Sequence, residues 1–241
     1  MSASSVAIVL IARLLAGIEE LVPDNSVKLG FRAHYPQLET KLTVRGIDRA
    51  DIDRKLAPMQ AEVRKRLGNF ILAEDDQTLE GVVLAALKGR NASLAVAENF
   101  TSGQIAARIG HLPGAEHVFR RGIVARDLRQ IGAAVGLDAA QISGQIDAAV
   151  VASVAQALRR ATGASHGLAV LIALDEGDDR LDFGGTILIA IATANGTAMR
   201  EARILGGREW VRLGATEMGL DCFRRFLQGL PIDERTDFEK K

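Results

Sequence analysis

Leu94-Ala95-Val96-Ala97-Glu98-Asn99-Phe100-Thr101-Ser102-Gly103 is the stretch whose reading decides the fold. A short apolar run meets a Thr/Ser/Gly turn, and Ile105-Ala106-Ala107-Arg108-Ile109 then opens a helix. Such a strand–turn–helix joint places side chains and free backbone N–H groups at the carboxyl edge of a sheet, where α/β proteins hold their ligands.

Working outward, Leu79, Val82, Val83, Ala86 and Leu87 form a helical stripe that Lys88-Gly89-Arg90 stops before the strand. Downstream, His111-Leu112-Pro113-Gly114 is a turn, Val118 to Ala125 a second strand, and Leu128 to Val135 a short helix ended by Gly136. Ile146 to Thr162 carries Val150, Val151, Val154, Ala157 and Leu158 on one helical side, with Arg159-Arg160 near its carboxyl end. Gly167 to Leu174 and Thr186 to Thr193 are apolar runs of buried-strand type, separated by an acidic loop. A last helix spans about Glu209 to Leu227. Helices alternating with short apolar strands predict a three-layer α/β/α domain over residues 77–230.

Before it, residues 26–72 read as a small α+β module. Val27 to His34 and Glu39 to Val44 alternate as two antiparallel strands around Tyr35-Pro36. A helix capped by Asp48 or Asp51 follows, with Ile52, Leu56, Met59, Val63 and Leu67 on one face and Gly68 at its end. Residues 1–25 form an apolar segment, read as a core strand or helix that closes at Pro23-Asp24-Asn25, and residues 231–241 form a charged tail.

Composition bounds the rest. At 241 residues and 48% hydrophobic, the chain can bury a full core without a disulfide or metal staple. Thirty basic and thirty acidic residues cancel, which offers no global attraction to nucleic acid or to an anionic membrane. Val6 to Leu15 is interrupted by Arg13 and lacks a preceding basic region, so it reads as neither a membrane span nor a secretory signal. With its lone Cys222 in an apolar helix, the chain is expected to be cytoplasmic, its thiol packed rather than reactive.

The quoted stretch resembles the Ala-Glu-Ser-Cys-Thr-Gly-Gly signature of the CinA carboxy-terminal domain, the nicotinamide-nucleotide amidase family. Leu79-Glu80-Gly81-Val82-Val83, Pro113-Gly114, Phe119, Gly122-Ile123-Val124-Ala125, Gly136, Gly163-Ala164 and Gly185-Thr186 fall where that family has matching residues. Gly207-Arg208-Glu209 with Arg212 is similar to its closing Gly-Asp-Arg-x-x-x-Arg segment. Leu29 to Pro36 resembles the KH-like module that precedes the amidase domain in full-length members. The molybdopterin-binding-like domain that opens those proteins has no counterpart in residues 1–25, so the chain reads as a reduced paralogue or a fragment.

The resemblance implies hydrolysis of the carboxamide of nicotinamide mononucleotide, with release of ammonia. That chemistry needs an activated hydroxyl, a base, and donors for the oxyanion and phosphate. Asn99 stands at the position of the family's serine nucleophile, and Ile131 at that of the lysine in its Tyr-x-Asn-x-x-Lys run. Leu171 to Asp179, with four carboxylates and one glycine, stands where the family has a glycine-rich loop. These changes predict a catalytically inactive relative acting by ligand binding or assembly. The retained Glu98, Thr101, Ser102, Gly103, Arg208 and Arg212 are the expected binding residues for a nucleotide-like molecule. An active amidase using Thr101 or Ser102 is the alternative; the other reading of this pair is a cap on the following helix. A structural partner of a separate CinA or molybdopterin-like protein is the third reading. The resemblance also implies a homo-oligomer.

Other candidates yield to plainer readings. His34, His111, His117 and His166 show no metal-ligand spacing, and no cofactor or metal is expected. Asp175, Glu176, Asp178 and Asp179 lack the frame of an EF-hand and read as a solvated acidic loop. Arg120-Arg121 and Arg126 to Arg129 form a local basic patch able to hold an anion, for which solvated face is the plainer reading. The amino-terminal module lacks the Gly-x-x-Gly loop with which KH domains clamp RNA.

Overall fold

The computed structural model describes residues 11–142, 144–178 and 182–234, and the chain divides into two compact units between Ile71 and Leu72. In the first unit, β1 (Val27–His34) and β2 (Gln37–Val44) pair antiparallel from Val27↔Val44 to His34↔Gln37. Alternation puts Leu29, Phe31, Leu42 and Val44 on one side, packed with Met59, Val63 and Leu67 of α1 (Arg49–Leu67). Asp48 is the residue that caps α1, accepting the Asp51 N–H at 2.8 Å, and Gly68 ends it at φ 52°. The apolar amino-terminal segment is helical at 11–14 and forms a 3-10 turn at Ile18–Leu21, with Leu15 and Ile18 fully buried; its first ten residues lie outside the described ones.

The second unit is built on a five-stranded sheet of order β4-β3-β5-β6-β7. Its strands are β3 (Leu94–Glu98), β4 (Phe119–Val124), β5 (His166–Leu174), β6 (Gly184–Thr193) and β7 (Gly196–Leu205). β4, β3 and β5 run parallel, whereas β5, β6 and β7 are antiparallel. Helices α2 (Leu79–Gly89), α3 (Gln104–Gly110) and α6 (Arg208–Gln228) cover one face; α4 (Leu128–Ala134) and α5 (Ala148–Thr162) cover the other.

The two faces differ in side-chain size. Leu94, Val96, Leu168 and Val170 meet α2, α3 and α6, while Ala95, Ala97, Ala169 and Ala190 let α5 approach closely. Gly167 marks the tightest point, where a Cβ would stand 2.2 Å from the Ala155 carbonyl of α5.

The strand β7 was not legible as such. Its core-facing residues alternate as Ala198, Arg200, Ala202 and Ile204, and Arg200 breaks the apolar pattern although it is buried. Its guanidinium donates to the carbonyls of Ile232 (2.8 Å) and Glu234 (3.2 Å). Arg225 of α6, with no solvent exposure, meets Asp221 at 2.8 Å and the Glu234 carboxylate at 2.5 Å. Two buried guanidiniums therefore hold the segment that follows α6 against the domain.

At the amino ends of β3 and β5, Ser93 N–H donates to Ser165 Oγ (2.7 Å) and Ser165 N–H to Ser93 Oγ (3.0 Å). His166 beside them is half-buried against the rings of Phe223 and Phe226, and this desolvation pushes its pKa down. The folded state thus binds that proton less readily than the unfolded chain. Stability is present above the ordinary value of 6.5 and is lost as pH falls below it toward the folded pKa. Thermal unfolding followed between about pH 5 and pH 8 should show this acid-side loss, and a His166→Gln variant should show a flatter profile.

Candidate functional site

The carboxyl edge of the parallel strands places the β3–α3 turn at the centre of the second unit. Backbone pairing of β3 with β5 ends at Glu98↔Val170. Asn99 continues it with its side chain: Nδ2 donates to the Ile172 carbonyl and Oδ1 accepts the Ile172 N–H, each at 2.9 Å. Oδ1 also accepts the Phe100 N–H at 2.5 Å. A carboxamide supplies donor and acceptor in the same spacing as a peptide group, so Asn99 acts as one more rung of the ladder. It is 6% exposed, and both ends of its amide are committed.

The aligned stretch from Leu171 is accordingly not all loop. Residues 171–174 are the end of β5, and the acidic loop begins at Asp175. The apolar run read as a strand from Gly167 to Leu174 thus continues, paired with β6, through the position where the family has a glycine-rich loop.

Glu98 is fully buried, and its carboxylate accepts the N–H groups of Ile105 (3.1 Å) and Ala106 (2.9 Å). These are orphan donors at the start of α3, so Glu98 caps that helix from the strand before it. The cap expected from Thr101 and Ser102 is thereby corrected. Gly103, at φ 85°, is the N-cap residue and no side chain caps from that position. Ser102 is exposed, holds φ 58°, and its hydroxyl donates to the Phe100 carbonyl at 3.1 Å. This left-handed backbone suits glycine better than serine.

Thr101 is fully buried, and its Oγ1 has no hydrogen-bond partner among the described residues. An interior hydroxyl without a partner costs about 1–3 kcal/mol. Thr101→Val should therefore leave stability unchanged or raise it by about 1 kcal/mol in urea unfolding. A marked loss would mean that the hydroxyl holds something the fold needs.

Ile131 lies fully buried in α4, within the core beneath the sheet. Just before α4, Arg126 is exposed and its guanidinium sits 4.5 Å from the centroid of Phe100. Asp127 caps α4 through the Arg129 N–H at 2.8 Å, and this bond, with the Arg129 guanidinium, holds its carboxyl below the usual range.

On the other side of the sheet edge the expected ligand arginines meet protein groups. Arg208 Nη2 donates to the Gly177 carbonyl (3.1 Å), and its guanidinium lies 4.3 Å from the Phe183 centroid. Arg212 bonds Glu209 at 2.9 Å, and the guanidinium depresses that carboxyl. Arg203 of β7 pairs with Asp175 at 2.6 Å, so the acidic loop is partly neutralised where it leaves β5; Asp179 lies outside the described residues. Thr216 Oγ1 donates to the Arg212 carbonyl (2.9 Å) and contacts Gln104 Oε1 (3.3 Å), joining the middle of α6 to the start of α3.

The sequence reading therefore found the turn and the start of α6. It named Arg126 only as part of a basic patch and missed Phe100, Ile172, Phe183 and Arg203, and also the Arg108 bridge to Glu80 (2.6 Å) and Glu217 (2.7 Å) that ties α2, α3 and α6. A cation next to an aromatic residue in sequence would have been a signal for none of them, because every pair is long-range. Among the described residues no cluster of His, Cys, Asp and Glu is arranged to hold a metal, and no helix is long and apolar enough to cross a membrane.

A strand–turn–helix at a sheet edge, with its glutamate turned back as a cap, can be compared with known proteins. The family model described as the CinA C-terminal domain matches residues 76–227. The chain belongs to the CinA C-terminal domain family.

A CinA-like protein of Frankia casuarinae is 34% identical over 221 residues, which is 91% of this chain and 51% of the relative. A CinA-like protein of Thermosynechococcus vestitus is 32% identical over 193 residues, 78% of this chain and 46% of the relative. The chain thus spans about half the length of the curated relatives it matches. Among solved structures, the competence/damage inducible protein CihA from Agrobacterium tumefaciens aligns with a TM-score of 0.53 at 18% identity. It covers 65% of this chain and 99% of its own. The competence damage-inducible protein A from Klebsiella pneumoniae gives 0.54 at 20% identity, over 62% of this chain and 94% of its own. At these identities the solved structures speak for the fold. Five strands flanked by helices are the CinA-superfamily architecture, here with a separate two-stranded sheet in the amino-terminal unit.

Proposed function

We propose that this CinA-family chain has lost amidase catalysis and acts by binding, with a nucleotide-like anion as the ligand. The observation that carries the reading is the commitment of Asn99 to Ile172 and Phe100. An amide nitrogen is already a very poor nucleophile, and this one is spent as a donor to a backbone carbonyl. Ile131 offers no base, and it faces the core rather than the turn. The substitute nucleophiles fare little better. Thr101 is buried, and the Ser102 hydroxyl gives its proton to the Phe100 carbonyl.

The exposed cation at the turn is Arg126, held over Phe100. A guanidinium fixed on an aromatic ring is pre-organised for a phosphate or carboxylate, and the ring edge adds apolar contact. Arg208 and Arg212 would join only by exchanging Gly177 and Glu209 for the ligand. Titration calorimetry with nicotinamide mononucleotide tests the reading. Saturable binding by the parent chain, lost in Arg126→Ala, supports it; absence of binding by a folded parent overturns it.

A further inference from the structure

We propose that Asn195 is a site of spontaneous, one-way modification, in which its side-chain amide is lost through a cyclic imide formed with the Gly196 nitrogen. The chain has five asparagines, and Asn195 is the one followed by glycine. Asn195 and Gly196 are exposed at the turn between β6 and β7, where Thr193 pairs with Gly196. Gly196 holds φ 146°, a backbone region that glycine occupies at little cost. Without a Cβ on the attacking residue, the Gly196 nitrogen reaches the Asn195 side chain with the least steric opposition.

Thr193 orders this tip. Its Oγ1 accepts the Asn195 N–H at 3.1 Å and donates to the Gly196 carbonyl at 3.3 Å. No hydrogen bond of the Asn195 carboxamide occurs among the described residues, so nothing holds its Cγ away from the following nitrogen. Asn99 is the opposite case, buried with both amide ends bound and followed by phenylalanine. Asn25, Asn69 and Asn91 precede serine, phenylalanine and alanine, each of which brings a Cβ to the attacking nitrogen.

The chemistry balances with water alone. Hydroxide removes the Gly196 amide proton, the nitrogen pair attacks Asn195 Cγ, and the new C–N bond expels ammonia, which carries the proton away. Water then adds to one of the two imide carbonyls and breaks the adjacent C–N bond. One opening gives aspartate; the other gives isoaspartate, whose main chain runs through the former side chain. Either product adds one negative charge to a chain whose formal net charge is zero. The isoaspartate form also inserts a methylene group into the turn, which displaces the Thr193↔Gly196 pair. Next to it, the bond from Gln156 Nε2 of α5 to Thr197 Oγ1 (2.9 Å) ties this tip to the helix layer. Modification would loosen that tie and leave the β3–α3 turn at the other end of the sheet untouched.

The test holds the folded, full-length chain at mildly alkaline pH and samples it by isoelectric focusing and peptide mass mapping. The expected result is progressive gain of one negative charge, mapped to Asn195 ahead of the other four asparagines, and absent from an Asn195→Gln variant. The charge gain persisting in Asn195→Gln, or mapping first to another asparagine, would overturn the proposal. So would modification of Asn195 only in urea-unfolded chain, since the hairpin would then protect it.

Discussion

Asn99→Leu lowers the stability of the chain by about 2–6 kcal/mol, because it leaves the Ile172 N–H and C=O buried without partners at about 1–3 kcal/mol each. Leucine keeps the branching of asparagine and is somewhat larger, so no cavity accompanies the loss. Ile172 is 3% exposed, and water cannot replace the missing donor and acceptor. The Phe100 N–H loses its acceptor as well. Asn99→Asp separates the two halves of the effect. A carboxylate still accepts from Ile172 N–H, but it faces the Ile172 carbonyl with an oxygen where the donor stood. Its cost should therefore be relieved at acid pH, where the protonated group can donate again. Urea unfolding of both variants, followed across pH, reads this difference. Leucine with no loss would mean that the turn, not the amide, sets the end of β3.

Asp221→Ala is the second large effect, on the order of 3 kcal/mol. Asp221 meets Arg225 at 2.8 Å and Arg224 at 2.6 Å, and neither guanidinium is more than 3% exposed. Removing the carboxylate takes the shared counter-ion from two buried cations, while Gln228 stays on Arg224 and Glu234 on Arg225. Arg225 also holds Pro231 and Glu234 of the segment that follows α6, so the amides of that segment should exchange with solvent before the rest of the domain unfolds. An Asp221→Ala, Arg225→Met double variant should recover part of the loss, since a missing pair is cheaper than a broken one. Hydrogen exchange with peptide resolution distinguishes that local release from global destabilisation.

How far the residues disclosed this arrangement depends on the range of the interaction. Alternation in β1 and β2 and the apolar runs at β3, β5 and β6 are local, and periodicity alone places them within a few residues. The helix stripes of α2 and α5 are of the same kind. β7 was hidden because Arg200 occupies a core-facing position, and its burial depends on carbonyls 32 and 34 residues away.

The site divides along the same line. That Asn99 and Ile131 break the amidase pattern is evident from the motif. What Asn99 does instead is not, since its partner Ile172 lies 73 residues downstream in a neighbouring strand. Glu98 looked like a ligand residue because it is part of the signature; its two bonds to α3 show a capping role. Arg208 and Arg212 invite a phosphate when seen on the chain alone, and only the fold brings Gly177, Phe183 and Glu209 against them.

The most direct measurement of the central claim is ammonia release from nicotinamide mononucleotide by the purified chain, with Thr101→Val alongside. The account predicts no release above background from the parent or from Thr101→Val. Sustained turnover by the parent, abolished in a folded Thr101→Val, would contradict it and make Thr101 a displaced nucleophile.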